Sequence, residues 1–430
     1  MLRKRTLACL SSFLVCLCVT AHAQTKSPEW AVSERRIATI NQSTWAKESF
    51  EVSPNNKRVA YAAKAGTKWC IVLDGNGGKP YDDIEAPGPV FSPDSKRVAY
   101  GVQVGNKWLV VVDGKEGKQY DGIGAGTLVF SPDSKRVAFG AKIGAQWSVV
   151  IDGDEGKPYE GMTPGTLTFS PDSKRVAYGA QVGAAWCVVL EGKEGRPYDA
   201  ITPGMLVFSP DSMRVAYGAK AGDRLFVVVG EDEGKPYDGT GTGTLVFSPD
   251  SKRLAYAVQD GNKWHVVVDG KEGRPYDSIT AGTLVFSPDS KQVAYGAKVG
   301  TKWSVVIDGD EGKKYDGITA GTLAFSPDCK HVAYGAKVGA RWSVVIDGKE
   351  GKPYDGIMMS TLIFSPDGKR VAYGAELGSK QFVVVDEKEA RQYDTIVTLG
   401  GGKIVFDSAD SLHYLAAKGG GIYLVEHRMK

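Results

Sequence analysis

The most constraining feature of the sequence is a repeat of 39 residues. From Thr127 to Gly165 the chain reads TLVFSPDSKRVAFGAKIGAQWSVVIDGDEGKPYEGMTPG, and close copies flank it on both sides. Phe91, Phe130, Phe169, Phe208, Phe247, Phe286, Phe325 and Phe364 keep the spacing without a slip, as do the tyrosines from Tyr81 to Tyr393. A fixed period of this length means that each copy is one supersecondary unit that buries its faces against its neighbours.

Within a unit, four short runs rich in β-branched and aromatic residues are separated by turn chemistry, which reads as strands rather than helices. Thr127 to Phe130 is the first strand. In Ser131-Pro132-Asp133-Ser134-Lys135, proline presets φ while Asp and Ser bond the local backbone, making a tight turn. Arg136 to Ile143 and Gln146 to Asp152 form a hairpin about Gly144-Ala145. Asp152-Gly153 and Gly156 then supply positive-φ positions before a short fourth strand around Tyr159. In the second strand Val137, Phe139 and Ile143 point one way while Ala138 and Gly140 point the other. A bulky face set against a flat one predicts radial stacking of sheets, and the buried run Val149-Val150-Ile151 fits it. The expected fold is all-β: a β-propeller of 39-residue, four-stranded blades.

The two ends of the chain differ from the repeats. Arg3-Lys4-Arg5, the apolar run Leu7 to Val19 and Ala21-His22-Ala23 form a secretory signal, residues 1–23, with the mature chain expected to start at Gln24. The apolar run is short for a membrane span, so no transmembrane segment is expected after cleavage. Export to the periplasm or outside the cell follows. The full chain carries 53 Lys+Arg against 50 Asp+Glu. Removing the three basic signal residues leaves the mature protein formally neutral, which disfavours nucleic acid as a partner. Cys70 and Cys187 stand at equivalent positions three repeats apart, too far to bridge in a ring, and with Cys329 they read as small fillers.

The Ser-Pro turn recurs at Ser53, Ser92, Ser131, Ser170, Ser209, Ser248, Ser287, Ser326 and Ser365. Regular repeats therefore run over about 52–398. Three extra residues enter near Leu399-Gly400-Gly401-Gly402, and a degenerate tenth copy, 403–426, supplies three strands without a fourth. The missing outer strand is available at the other end, from Ile37 to Ile40. Ten blades in one ring, closed by the N-terminal strand, is the expectation for residues 24–430, with two rings of five as the alternative. Closure in this way removes exposed sheet edges.

The phrase FSPDSKRVAY, followed by an apolar strand and an Asp-Gly hairpin, resembles the WD40-like PD40 repeats of TolB-type propellers, from Ser53 to about Val425. The Trp-Asp pair of true WD40 repeats is replaced by Ile-Asp or Val-Asp, as at Ile307-Asp308. A second likeness, through Lys302-Trp303, Asp308-Gly309 and Tyr315-Asp316, is to WG-repeat proteins. The first resemblance implies a binding scaffold rather than a known chemistry, and the second an all-β repeat protein of interaction type.

The residues themselves carry little chemistry. No nucleophile elbow or zinc-protease motif occurs, and His265, His331, His413 and His427 fall at unrelated repeat positions. The Asp-Gly-Asp-Glu-Gly loops at Asp152 and Asp308 have the carboxylate density of calcium loops, but a lysine enters the same loop after Asp113 and Asp347. No catalytic set, metal site or cofactor is expected. The distinctive set is Trp69, Trp108, Trp147, Trp186, Trp264, Trp303 and Trp342, each at the start of a third strand. Lys68, Lys107, Lys263, Lys302 and Arg341 precede five of them. Aromatic plates beside cations suit sugars or peptides, while recurrence in nearly every copy suits packing between blades. The leading expectation is a non-enzymatic, exported scaffold for a protein or peptide partner. The alternative is a carbohydrate-binding propeller using the Trp positions.

Overall fold

The computed structural model describes residues 30–241 and 244–429 of the 430-residue chain. The expected signal segment, 1–23, and the start at Gln24 lie outside the described residues. Ten antiparallel sheets follow one another, one per repeat. In the third, Gly122–Ile123 and Val129–Phe130 pair with Val137–Ile143, which pairs with Gln146–Ile151, which pairs with Asp154–Tyr159. The inner strand is thus two short pieces rather than the single run Thr127 to Phe130. The reason is a side chain that takes over a ladder bond. Thr127 Oγ1 donates to the Gly124 carbonyl at 2.6 Å and accepts the Gly140 N–H at 2.9 Å, so the backbone between can loop away.

Blades stack as the alternation predicts. Val137 and Phe139 pack with Ala99, Val110 and Tyr120 of the preceding blade, while Ala138 packs with Val176 and Tyr178 of the following one. Ile143, on the bulky face, is instead 40% exposed because it sits at the turn beyond the stack. At most junctions the outer-strand tyrosine meets an aromatic ring of the next blade edge-on, as Tyr159 meets Tyr178 at 6.0 Å and 73°.

The Ser-Pro-Asp turn is a device for joining blades. Ser131 Oγ donates to Asp133 Oδ1 at 2.6 Å and accepts the Arg136 N–H, while the Asp133 N–H crosses to Ser173 Oγ of the next blade at 2.9 Å. The arginine completes the joint. Arg97 Nη1 donates to the Ser134 and Lys135 carbonyls of the next blade, Nε donates to Asp113 at 2.8 Å, and the guanidinium covers the Phe130 ring at 5.2 Å. Asp113 in turn accepts the Val98 N–H with its other oxygen. The same geometry occupies the two carboxylates weighed as calcium ligands. Asp152 takes Arg136 Nε and the Val137 N–H, and Asp308 takes the Val293 N–H and, at 3.4 Å, Gln292 Nε2.

Closure follows the sequence reading, with a longer strand than Ile37 to Ile40. Trp30–Thr39 pairs antiparallel with Gly421–Met429 from Trp30↔Met429 to Thr39↔Gly421, with a one-residue register shift between Arg36 and Ala38, as the outer strand of the tenth blade. It also extends the rim contacts of the repeat. Elsewhere a basic residue and the outer-strand tyrosine share a glutamate of the next blade, as Lys79 and Tyr81 share Glu116. At the last junction Arg391 and Tyr393 share Glu34. The tenth blade then packs on the first through Ala38, Phe50, Tyr61, Val397, Leu415 and Leu424. The fifth packs on the sixth through Tyr237 and Tyr256, so there is one ring of ten blades and not two of five. Among the described residues no helix is long and apolar enough to cross a membrane.

The closing strand is also acid-sensitive. His427, paired with Val32, is buried against Trp30 and accepts or donates one bond with the Tyr414 hydroxyl at 3.1 Å. Burial holds its imidazole down at about 4 from the usual 6.5, against a smaller opposing pull from Glu34. With the folded value depressed, the unfolded chain protonates first as pH falls. The contribution is therefore complete above pH 6.5 and is lost between 6.5 and about 4. We predict a loss on the order of 3 kcal/mol across that window. Comparing melting at pH 7 and pH 4.5 for the native chain and for His427→Phe checks this, since the variant should lose less on acidification.

Candidate functional site

The link between consecutive blades and the turn before the third strand lie on one face of the ring. Gly144 N–H donates to Asp121 Oδ2 at 2.7 Å, and Asp121 Oδ1 takes Lys107 of the preceding blade at 2.5 Å. One aspartate thus clamps two blades. The set recurs as Lys68, Asp82 and Gly105; Lys263, Asp277 and Gly300; Lys302, Asp316 and Gly339; and Arg341, Asp355 and Gly378. The Lys107 ammonium, with the Gly144 N–H, holds the Asp121 carboxyl below the ordinary carboxylate range. The five cations singled out in the sequence are therefore engaged in blade-to-blade ion pairs. Each remains at the surface, where such a pair is worth little alone.

The seven tryptophans are half-buried. Each indole starts a third strand, and in the fourth and eighth blades it lies over the inner-strand glycine of its own sheet. A Cβ on Gly161 would fall 3.0 Å from the Trp186 ring, and one on Gly317 would fall 3.2 Å from Trp342. Lys64, Lys298 and Lys337 lie over Trp69, Trp303 and Trp342 at 5.4 to 5.7 Å. Trp69, Trp108, Trp186, Trp303 and Trp342 border the apolar clusters shared with the next blade. The indoles thus pack at junctions and keep one part of the ring at the surface. In two blades Leu225 and Gln381 hold the position, bridged to Tyr237 and Tyr393 as the tryptophans are to their tyrosines.

What sequence reasoning missed is a row of aliphatic side chains beside these positions. Val104, Ile143, Val182, Val299, Val338 and Leu377 are each the last residue of a second strand, just before the turn glycine, and are 39–45% exposed. Ala221 and Asp260 interrupt the row in the fifth and sixth blades. The signal was present in the sequence, because a residue flanking a surface turn is ordinarily polar, and here Val, Ile or Leu fills it in six copies. Neighbouring turns of this face are tied from blade to blade by the Asp–Gly bonds, with a cation on the aspartate at most of them and Glu160 alone at Gly183, and the face presents repeated apolar contacts beside charge. Among the described residues no group of three or more His, Cys, Asp or Glu is arranged to hold a metal ion.

Neither a protein-family model nor a curated protein matches the sequence. Solved structures do. A eukaryotic initiation factor is 15% identical, with 78% of this chain and 96% of that one covered at a TM-score of 0.45. The propeller domain of the trilobed protease from Pyrococcus furiosus is 16% identical, covering 63% and 97% at a TM-score of 0.32. TolB from Acinetobacter baumannii is 17% identical, covering 53% of this chain and 61% of that one at a TM-score of 0.28. Likenesses of this degree leave the assignment of the chain as a ten-blade β-propeller on its own hydrogen-bonding pattern.

Proposed function

We propose that this protein is an exported scaffold that acts by binding rather than by catalysis, and that a protein partner docks on the face carrying the turns before the third strands. The observation behind this reading is the row Val104, Ile143, Val182, Val299, Val338 and Leu377, exposed on a surface whose turns are bonded from blade to blade. The same aliphatic station in six blades offers a partner a repeated set of apolar contacts on one face, and a face whose turns are bonded to one another loses little entropy on docking. The signal residues 1–23 and the neutral mature chain support export and a protein partner over nucleic acid. A second reading, carbohydrate binding, draws on the half-exposed tryptophans.

Affinity capture with the mature chain, beginning at Gln24, from envelope and medium fractions separates the two. A protein retained at high salt and lost with Val299→Glu/Val338→Glu/Leu377→Glu supports the scaffold. Glycan that free sugar competes away, unaffected by those changes but lost when Trp303 and Trp342 are replaced, supports the second reading and overturns the first.

A further inference from the structure

We propose that the seam between the tenth and first blades binds an amphipathic carboxylate, an apolar chain or ring system with one anionic head. Four departures from the repeat converge there. Ala38, paired with Ile422, stands where the outer-strand tyrosine stands at the regular junctions, as Tyr120 pairs with Trp108. The link from Ala38 to Trp45 is longer than the regular link from Tyr120 to Ile123, and Trp45 bridges Ala63 where Ile123 would pair with Ala141. Across the seam the tenth blade carries the extra turn Leu399–Gly401. Lys418 takes the strand-end place that Val104 or Ile143 holds in other blades.

The extra turn rests on the first blade, and it and the long link line one cleft. Gly400 has φ 61°, and a Cβ there would fall 2.0 Å from the Phe50 carbonyl oxygen, so only glycine allows the tenth-blade turn to rest on the first blade. Beside that contact they enclose a cleft of about 630 Å³ walled by Ile40, Trp45, Ile396, Val397, Leu399 and Ile422. This is the size of a small-molecule site. Its charge selects the sign of the ligand. Lys47 and Lys418 both line it, and neither has a carboxylate within ion-pair distance among the described residues. The acid in the wall, Asp394, is already held by Lys380 at 2.6 Å and by the Gly419 N–H at 2.9 Å. Lys418 adds its charge to the field that lowers Asp394 but makes no ion-pair contact with it, so apolar walls with two ammonium groups outside any contact ion pair, against one neutralised acid, fit a hydrophobic body with an anionic head and disfavour a hydrophobic cation. This site does not depend on the protein-docking face.

Titration calorimetry of the mature chain with decanoate, and separately with decyltrimethylammonium, tests the proposal. The expected result is one decanoate per chain and weaker or absent binding of the cation. Lys47→Gln/Lys418→Gln should weaken decanoate about tenfold or more. Leu399→Asp, at a wall position that is itself exposed, should abolish binding while leaving the melting temperature unchanged. The proposal is overturned by no binding at millimolar decanoate, by equal or tighter binding of the cation, or by decanoate binding that neither variant alters.

Discussion

Deleting residues 24–39 should open the ring at one place and destabilise the whole molecule, by on the order of 5 kcal/mol. The deletion strips the outer edge of Gly421–Met429 along the register from Trp30↔Met429 to Thr39↔Gly421. It removes the Glu34 carboxylate from Arg391 and Tyr393, and the Trp30 ring from His427 and Arg370. An uncovered strand edge also pairs readily with other chains. The truncated protein should melt lower and aggregate. Hydrogen exchange should accelerate first in the tenth blade and its neighbours, because each blade contacts only the next. A synthetic peptide of residues 24–39 added in trans should restore part of the loss. Melting and exchange identical to those of the full chain would show that the N-terminal strand does not close the ring.

Tyr354→Ala should cost about 3–5 kcal/mol, the range for emptying a buried aromatic site. Tyr354 has no exposed surface and meets Tyr373 at 6.2 Å and Phe382 at 5.7 Å, both edge-on. Burial first, then the nearby Glu389 carboxylate, pushes its phenol up to about 12. The hydroxyl reaches Glu389 at 3.4 Å, a long bond, so Tyr354→Phe should cost no more than about 1.5 kcal/mol. The difference assigns the stability to ring packing between the eighth and ninth blades. Denaturant unfolding of both variants measures it, and equal losses would assign the stability to the hydroxyl instead.

Much of the fold was legible in the sequence because the same backbone demands recur at the same phase. Ser131, Asp133 and Asp152 each satisfy a main-chain donor, so the turn and hairpin read directly as Ser-Pro-Asp and Asp-Gly. The bulky and flat faces of the second strand gave the stacking, and the unpaired copies at the two ends gave the closure. What local pattern could not give was any relation that exists only between blades. The split inner strand depends on Thr127 reaching Gly140. The pairing of Lys107 with Asp121, and of Asp121 with Gly144 in the next blade, spans two repeats. An aspartate or glutamate after every outer-strand tyrosine from Tyr81 to Tyr393, including Glu160, was the visible trace of that clamp. The tryptophans announced an aromatic surface, yet the sheet beneath and the next blade beside them cover much of each ring. The long link between Ala38 and Trp45 was unreadable because no second copy exists to set its phase.

The most direct test of the account is a hydrogen-exchange footprint of the mature chain with the protein that it captures. Protection is expected to centre on the second-strand ends and turns at 104–106, 143–145, 182–184, 299–301, 338–340 and 377–379. Protection confined instead to the Ser-Pro-Asp turns on the opposite face, with these turns unchanged, would contradict it.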